Sequence, residues 1–131
     1  MKLRWPFKFE PKSPGQLAED HACRFLRSKG CKLVERNFQR KQGELDIIAL
    51  EGATLCFIEV RARSEAGLVS PAESVDPAKL HRLKLAAEHY LAEHGLFDEI
   101  TVRFDLVSVF FKPGTARVRR VELLKNLQLE D

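Results

Sequence analysis

Three residues in this chain could do phosphoryl chemistry together: Asp46, Glu59 and Arg61. All lie in one stretch, Gly43 to Arg63, which reads GELDIIALEGATLCFIEVRAR. Two acids followed by a cation two residues on is the arrangement a metal-dependent phosphodiesterase needs. The carboxylates of Asp46 and Glu59 hold a metal, the metal activates water, and the Arg61 cation stabilises charge on the phosphate. Hard oxygen ligands suit magnesium or manganese rather than zinc.

Whether the acids meet depends on the elements that carry them. Glu44–Leu50 and Thr54–Arg63 are β-rich runs separated by Glu51-Gly52-Ala53, a β-hairpin signal. Alternation puts Glu44 and Asp46 on one face of the first strand and Leu45, Ile47 and Ala49 on the other. On the second strand Phe57, Glu59, Arg61 and Arg63 share a face, opposite Cys56, Ile58 and Val60. A two-residue Gly52-Ala53 turn sets Asp46 opposite Glu59. A turn at Glu51-Gly52 sets Glu44 opposite Glu59, and a three-residue turn puts Asp46 and Glu59 on opposite faces. Gly first favours a type II′ turn and the first register. Like charges directly opposite cost roughly 0.2–1 kcal/mol, so the pair asks for a metal, a proton or an Arg partner.

The flanking elements follow from caps and periodicity. Ser13-Pro14-Gly15-Gln16 starts a helix that runs to Lys29, with Gly30 ending it and Ala18, Ala22, Phe25 and Leu26 as its apolar stripe. Glu19 lies beside that stripe, where an acid is costly unless it is used or reaches water. Cys31–Asn37 reads as a strand, and Phe38–Gly43 as a basic loop opening onto the strand of Asp46. Ser64–Val75 reads as a loop near the acids. Asp76-Pro77 starts a second helix with Leu80, Leu83, Ala87, Tyr90 and Leu91 as its stripe and Gly95 as its end. Lys79 falls in that helix's first turn, against the dipole. Ile100–Phe111 alternates as a strand on which Arg103 and Asp105 share a face. Val118–Leu129 fits a strand or a short helix. The order helix, three strands, helix, strand is a mixed αβ fold with helices packed on a central sheet. A basic tail, residues 1–12, precedes a single domain, residues 13–131.

Composition bounds the rest. A chain of 131 residues with 44% hydrophobic and 31% charged residues can bury one ordinary core. The net charge of +3 is too small to argue for a polyanion by itself. Its distribution says more. Arg24, Arg27, Lys29, Lys32, Arg36, Arg40 and Lys41 crowd one segment, either as a solvated face or as a surface that tracks phosphates. Arg40 and Lys41 are the better phosphate candidates there. Arg36, Arg63 and Lys79 complete the candidate nucleic-acid contacts. Three cysteines without CxxC spacing point to a reducing compartment, with neither a disulfide framework nor a zinc site. No run has the length of a membrane span or a signal peptide, so the expected location is the cytoplasm.

GELD…EVRAR resembles the D…ExK core of the restriction-endonuclease-like superfamily. With LAEDHA around Glu19, Arg36-Asn37, Lys79 and the RFD of Arg103–Asp105, the chain resembles the YraN-like family of bacterial endonuclease-like proteins, related to archaeal Holliday-junction resolvases. The resemblance spans Pro14–Phe110. It implies a restriction-endonuclease-like α/β fold and a magnesium-dependent endonuclease acting on duplex or branched DNA. It implies that Glu19 and Lys79 lie beside the metal site, and that a homodimer would offer two symmetric sites to a four-way junction. The family usually carries Lys where this chain has Arg61. Arg keeps the charge but cannot accept a proton, and it can turn inward onto Asp46 or Glu59. The alternative is therefore a catalytically impaired nucleic-acid-binding module of the same fold.

Overall fold

The turn at Gly52 sets the register on which the other strands build. Gly52 has φ 60° and Ala53 is not left-handed, as a type II′ turn requires. Glu51 pairs with Thr54 and Ile47 with Ile58, which is the register of a two-residue turn.

The computed structural model describes residues 11–65 and 77–129. Most of the basic tail, most of the Ser64–Val75 loop and the Asp76 cap lie outside the described residues. Seven elements follow one another: α1 (Pro14–Ser28), β1 (Lys32–Arg40), β2 (Gly43–Glu51), β3 (Thr54–Ser64), α2 (Pro77–Glu93), β4 (Thr101–Phe111) and β5 (Val118–Leu124). The strands form one sheet in the order β1-β2-β3-β4-β5. β3 and β4 are parallel and the other neighbours antiparallel. A parallel pair needs a crossover, and α2 supplies it. The architecture is the mixed, restriction-endonuclease-like α/β fold that the element order implies, and β5 resolves the C-terminal segment as a strand.

Each helix covers one face. Ser13 accepts from the Gln16 N–H while the Gln16 side chain accepts from the Ser13 N–H, a complete capping box ahead of Pro14. α1 then lays Ala18, Ala22, Cys23 and Leu26 against Ile47, Ala49, Cys56, Ile58, Val107 and Val109. α2 lays Leu83, Ala86, Ala87 and Tyr90 against Phe38, Leu45, Ile48, Leu55 and Phe57. Full burial of a side chain such as Phe57 or Ile58 is worth roughly 1.5–3 kcal/mol, so two such faces hold the sheet between the helices. Burial pushes the Cys56 thiol up to about 11, the behaviour of a packed core residue.

Two readings of the sequence need correction. β1 runs on to Arg40, so the basic loop over Phe38–Gly43 shrinks to a turn at Lys41-Gln42. The cause is Phe38, which is buried edge-on to Tyr90 and pairs with Leu45. Leu45 also leaves the face of Ile47 and Ala49 and packs under α2.

α2 comes so close to the start of β2 that a Cβ at Gly43 would collide with the backbone carbonyl of Arg82 and press on Ala86. Gly43→Ala is expected to cost about 2 kcal/mol or more, while Gly15→Ala changes stability by under about 0.5 kcal/mol. At Gly15 a Cβ meets nothing nearer than the Ser13 hydroxyl, at 3.8 Å. Urea denaturation of the two variants checks this, and equal midpoints would refute the close approach.

Candidate active site

The site is built where two strands turn over together. On β1, Arg36 lies against α1 while Phe38 lies under α2; on β2, Ile47 lies against α1 and Leu45 under α2. Between the pairs Arg36↔Ile47 and Phe38↔Leu45 sit Asn37 and Asp46. Asn37 has φ 54°, a left-handed conformation that Asn tolerates better than most residues. The β2–β3 ladder stops at Ile47↔Ile58, so Asp46 leaves it. The backbone N–H of Val60 then donates to Asp46 Oδ2 at 2.8 Å.

This brings the Asp46 carboxyl beside the carboxyl of Glu59, near enough that each alters the other's proton affinity. Glu59 is 9% exposed. Burial, and then the Asp46 charge, push its carboxyl up to about 7. Burial raises Asp46 as well, against the pull of the Val60 N–H. A buried and a half-buried carboxylate this close hold a shared proton more readily than two negative charges. Behind Asp46 stands Glu19 of α1, also raised, by burial first and by Asp46 second. Arg36 lies 3.5 Å from Glu19 and 3.0 Å from Asp20, and Asn37, like Arg36, pulls the Glu19 carboxyl down against its burial.

Two cations face Glu59. Arg61 Nη2 is 3.4 Å and Lys79 Nζ 3.8 Å from the same Oε1. Both separations are long for a charge-assisted hydrogen bond. The Nε atoms of Arg61 and Arg63 and the Oγ of Ser108 are buried without a hydrogen-bond partner among the described residues. Ser108 is the register partner of Arg61 on β4. Unsatisfied polar atoms collected beside perturbed carboxyls mark a place where a ligand or water can be accepted.

The structure thus gathers Glu19, Asp46, Glu59, Arg61 and Lys79, with Arg63 farther along the same face of β3. It sets the remaining candidates apart. Arg40 forks onto Glu93, both contacts 2.6 Å, and lies over the Phe38 ring at 4.0 Å. Lys41 sits at the β1–β2 turn, beside a small cleft of about 260 Å³ that Arg82 also lines. Arg36 faces α1. Asp105 stands elsewhere, held by Arg103 at 2.9 Å and by the Asn126 N–H at 2.9 Å. Sequence reasoning missed the Val60 N–H, which no side chain announces, and Arg82. It read Asn37 as the last residue of a strand, and an Asn inside a strand pattern was the available signal.

A divalent ion suits this donor set. The oxygens are hard, and the shared proton occupies the place where a cation would relieve the same repulsion. Among the described residues no three His, Cys, Asp or Glu side chains converge as metal ligands. An ion held by Asp46 and Glu59 would draw its other ligands from water or substrate oxygens, as magnesium commonly does.

The raised carboxyl has a stability consequence. Glu59 binds its proton more tightly folded than unfolded, so its contribution is complete below about pH 4.5 and is lost as pH rises through about 7. Glu59→Gln removes that loss. In a chelator-containing buffer it is expected to stabilise the fold by about 1–3 kcal/mol near pH 9 and by much less near pH 5. Urea midpoints of wild type and variant at the two pH values check this, and a pH-independent difference would refute the shared proton.

Comparison with known proteins places this geometry in a family. The model of the family described as "Uncharacterised protein family UPF0102" matches residues 18–109, which contain every residue gathered at the site. A UPF0102 protein of Marinobacter nauticus is 40% identical over 112 residues, covering 86% of this chain and 89% of the relative. One from Desulforapulum autotrophicum is 42% identical with the same coverage. One from Coxiella burnetii is 44% identical over 109 residues, 83% of this chain and 86% of the relative. With this match over most of its length, the chain belongs to the UPF0102 family, the YraN family that its motifs resemble.

Proposed function

We propose that the chain is a magnesium- or manganese-dependent endonuclease that hydrolyses phosphodiester bonds in DNA, duplex or branched, in the cytoplasm. The observation that carries the reading is the Asp46–Glu59 pair, with the buried Glu59 carboxyl raised to about 7 and two cations on its rim. Carboxyls are not kept in this condition for stability, because the fold loses free energy whenever both ionise.

Each residue has a part. Asp46 is aimed by the Val60 N–H and Glu59 by its place in the central strand, so the two oxygen donors are fixed before any ion arrives. A bound ion would supply positive charge to the pair and lower the pKa of a water molecule. Arg61 and Lys79 oppose the negative charge that builds on a phosphate under attack, and Lys79 carries the amine that Arg61 lacks. Glu19 can order a water through Asp46. The DNA would lie along β3 toward Arg63, with Lys41, Arg40 and Arg36 farther out. Arg40 and Arg36 must leave Glu93 and Asp20 to reach phosphate. Two copies of the chain would present two such sites to a branched substrate.

One observation favours a second reading, a nucleic-acid-binding module that does not cut. Arg61 and Lys79 already lean on Glu59, and together they can neutralise it without a metal.

The two readings separate on metal and on cleavage. Calorimetric titration with magnesium should show binding that strengthens by up to about tenfold per pH unit as pH rises toward about 7, because the metal must displace the shared proton, and that disappears in Asp46→Ala. With labelled duplex and four-way-junction DNA, cleavage should rise in Arg61→Lys, fall in Arg61→Ala and Lys79→Ala, and fall at least about 100-fold in Glu59→Ala. Undiminished cleavage by Glu59→Ala rejects the mechanism. No cleavage by any variant, Arg61→Lys included, selects the binding module. Affinity for DNA should fall by about 0.9 log units per log unit of salt for each phosphate contact, and a flat response refutes both readings.

A further inference from the structure

A second cleft is separate from the carboxylates. It has a volume of about 530 Å³ and lies between the start of α1 and the β4–β5 turn, at the end of β3. A volume of that order takes a ligand of about nucleotide size. Leu17, Phe111 and Pro113 give it apolar walls, and Lys12, Arg63 and Lys112 give it positive charge. One wall is a stiff turn: the Lys112 N–H donates to the Arg117 carbonyl at 2.8 Å, and the Thr115 hydroxyl to the Lys112 carbonyl at 2.9 Å. The cleft is therefore formed before a ligand enters.

Arg63 connects it to the carboxylates. It shares a face of β3 with Glu59 and Arg61, four residues beyond Glu59, which is roughly 13 Å along a strand. That distance spans about four nucleotides at the rise of a stacked strand, and fewer in an extended one. Arg63 also lines the cleft, so its guanidinium stands between the cleft and the carboxylates. A recess with apolar walls accepts the face of a base, which a paired strand keeps inside the helix.

Resting on the nuclease reading above, we propose that this cleft receives an unpaired nucleotide of the strand whose phosphodiester lies at Glu59. The base lies against Leu17, Phe111 and Pro113, and the adjoining phosphates meet Arg63 and Lys112. The substrate class is then DNA with a single-stranded flank beside the cut, rather than continuous duplex.

The test is fluorescence anisotropy with the full chain in chelator, so that nothing is cut. The probes are a blunt duplex and the same duplex carrying a short thymidine overhang, with thymidine monophosphate as competitor. Wild type should bind the overhang duplex about tenfold more tightly than the blunt one. Lys112→Glu removes a cation, and Ala116→Trp fills the cleft from the exposed turn. Both should abolish the preference and leave blunt-duplex affinity within about threefold of wild type. Equal wild-type affinity for the two duplexes, or a preference that survives both substitutions, overturns the assignment. Full displacement of the overhang duplex by thymidine monophosphate overturns it in favour of a free-nucleotide pocket. Binding of blunt duplex without overhang preference sinks the cleft alone, whereas failure to bind either duplex sinks the nuclease reading with it.

Discussion

Everything at this site depends on one unfavourable contact: two carboxyls, one buried and one half-buried, held side by side. A folded chain keeps such a contact only when the surrounding structure over-determines it. Here three features do so. The type II′ turn fixes which residues face each other, the left-handed Asn37 turns two strands over at the level of Asp46, and a backbone N–H with no ladder partner in β2 captures the Asp46 side chain. Burial, joined at Glu59 by the Asp46 charge, raises both carboxyls and leaves a proton that a cation can replace.

The other buried acid shows what a satisfied one looks like. Asp105 is 1% exposed, yet Arg103 meets both its oxygens, at 2.9, 3.1 and 3.0 Å, and Asn126 adds a backbone donor. Arg103 and Lys125 also reach Glu51, so this network ties the chain after β5 to the hairpin turn. Good geometry on every lone pair makes a structural acid. Glu59 has two cations as well, but at 3.4 and 3.8 Å and on one oxygen. The difference between a staple and a candidate site lies in how completely the charge is met, not in how deeply it is buried.

Much of this could be read from the sequence because it rests on local rules. The capping box of Ser13, the turn at Gly52 and the period-two run of β3 each fix structure within a few residues, and the two-residue turn sets the β2–β3 register up to Ile47 and Ile58, one step short of Asp46 and Glu59. The turn-over at Asn37 and Asp46 could not be read that way. It requires two strands to break alternation at the same level, and each strand alone gives no sign of it. The ends of β1 were hidden because Phe38 stands among Arg, Gln and Lys, and only Leu45 and Tyr90, distant in sequence, give it a core to enter. The fates of Arg36 and Arg40 were hidden for the same reason. Their carboxylate partners lie 16 and 53 residues away, and a cluster of cations in sequence separated in space.

Gly43 carries a consequence for how the protein could vary. Its missing side chain lets the backbone of α2 rest directly on β2 at Arg82, so the axial position of that helix is referenced to the sheet. Lys79 sits one turn earlier on the same rigid rod, where a slip of one turn would displace it by about 5.4 Å. The connection from residue 65 to residue 77 therefore does not set the spacing between the lysine and Glu59; the strand does. Segments of different length and sequence can be exchanged there while the charge geometry at the carboxylates keeps its gauge.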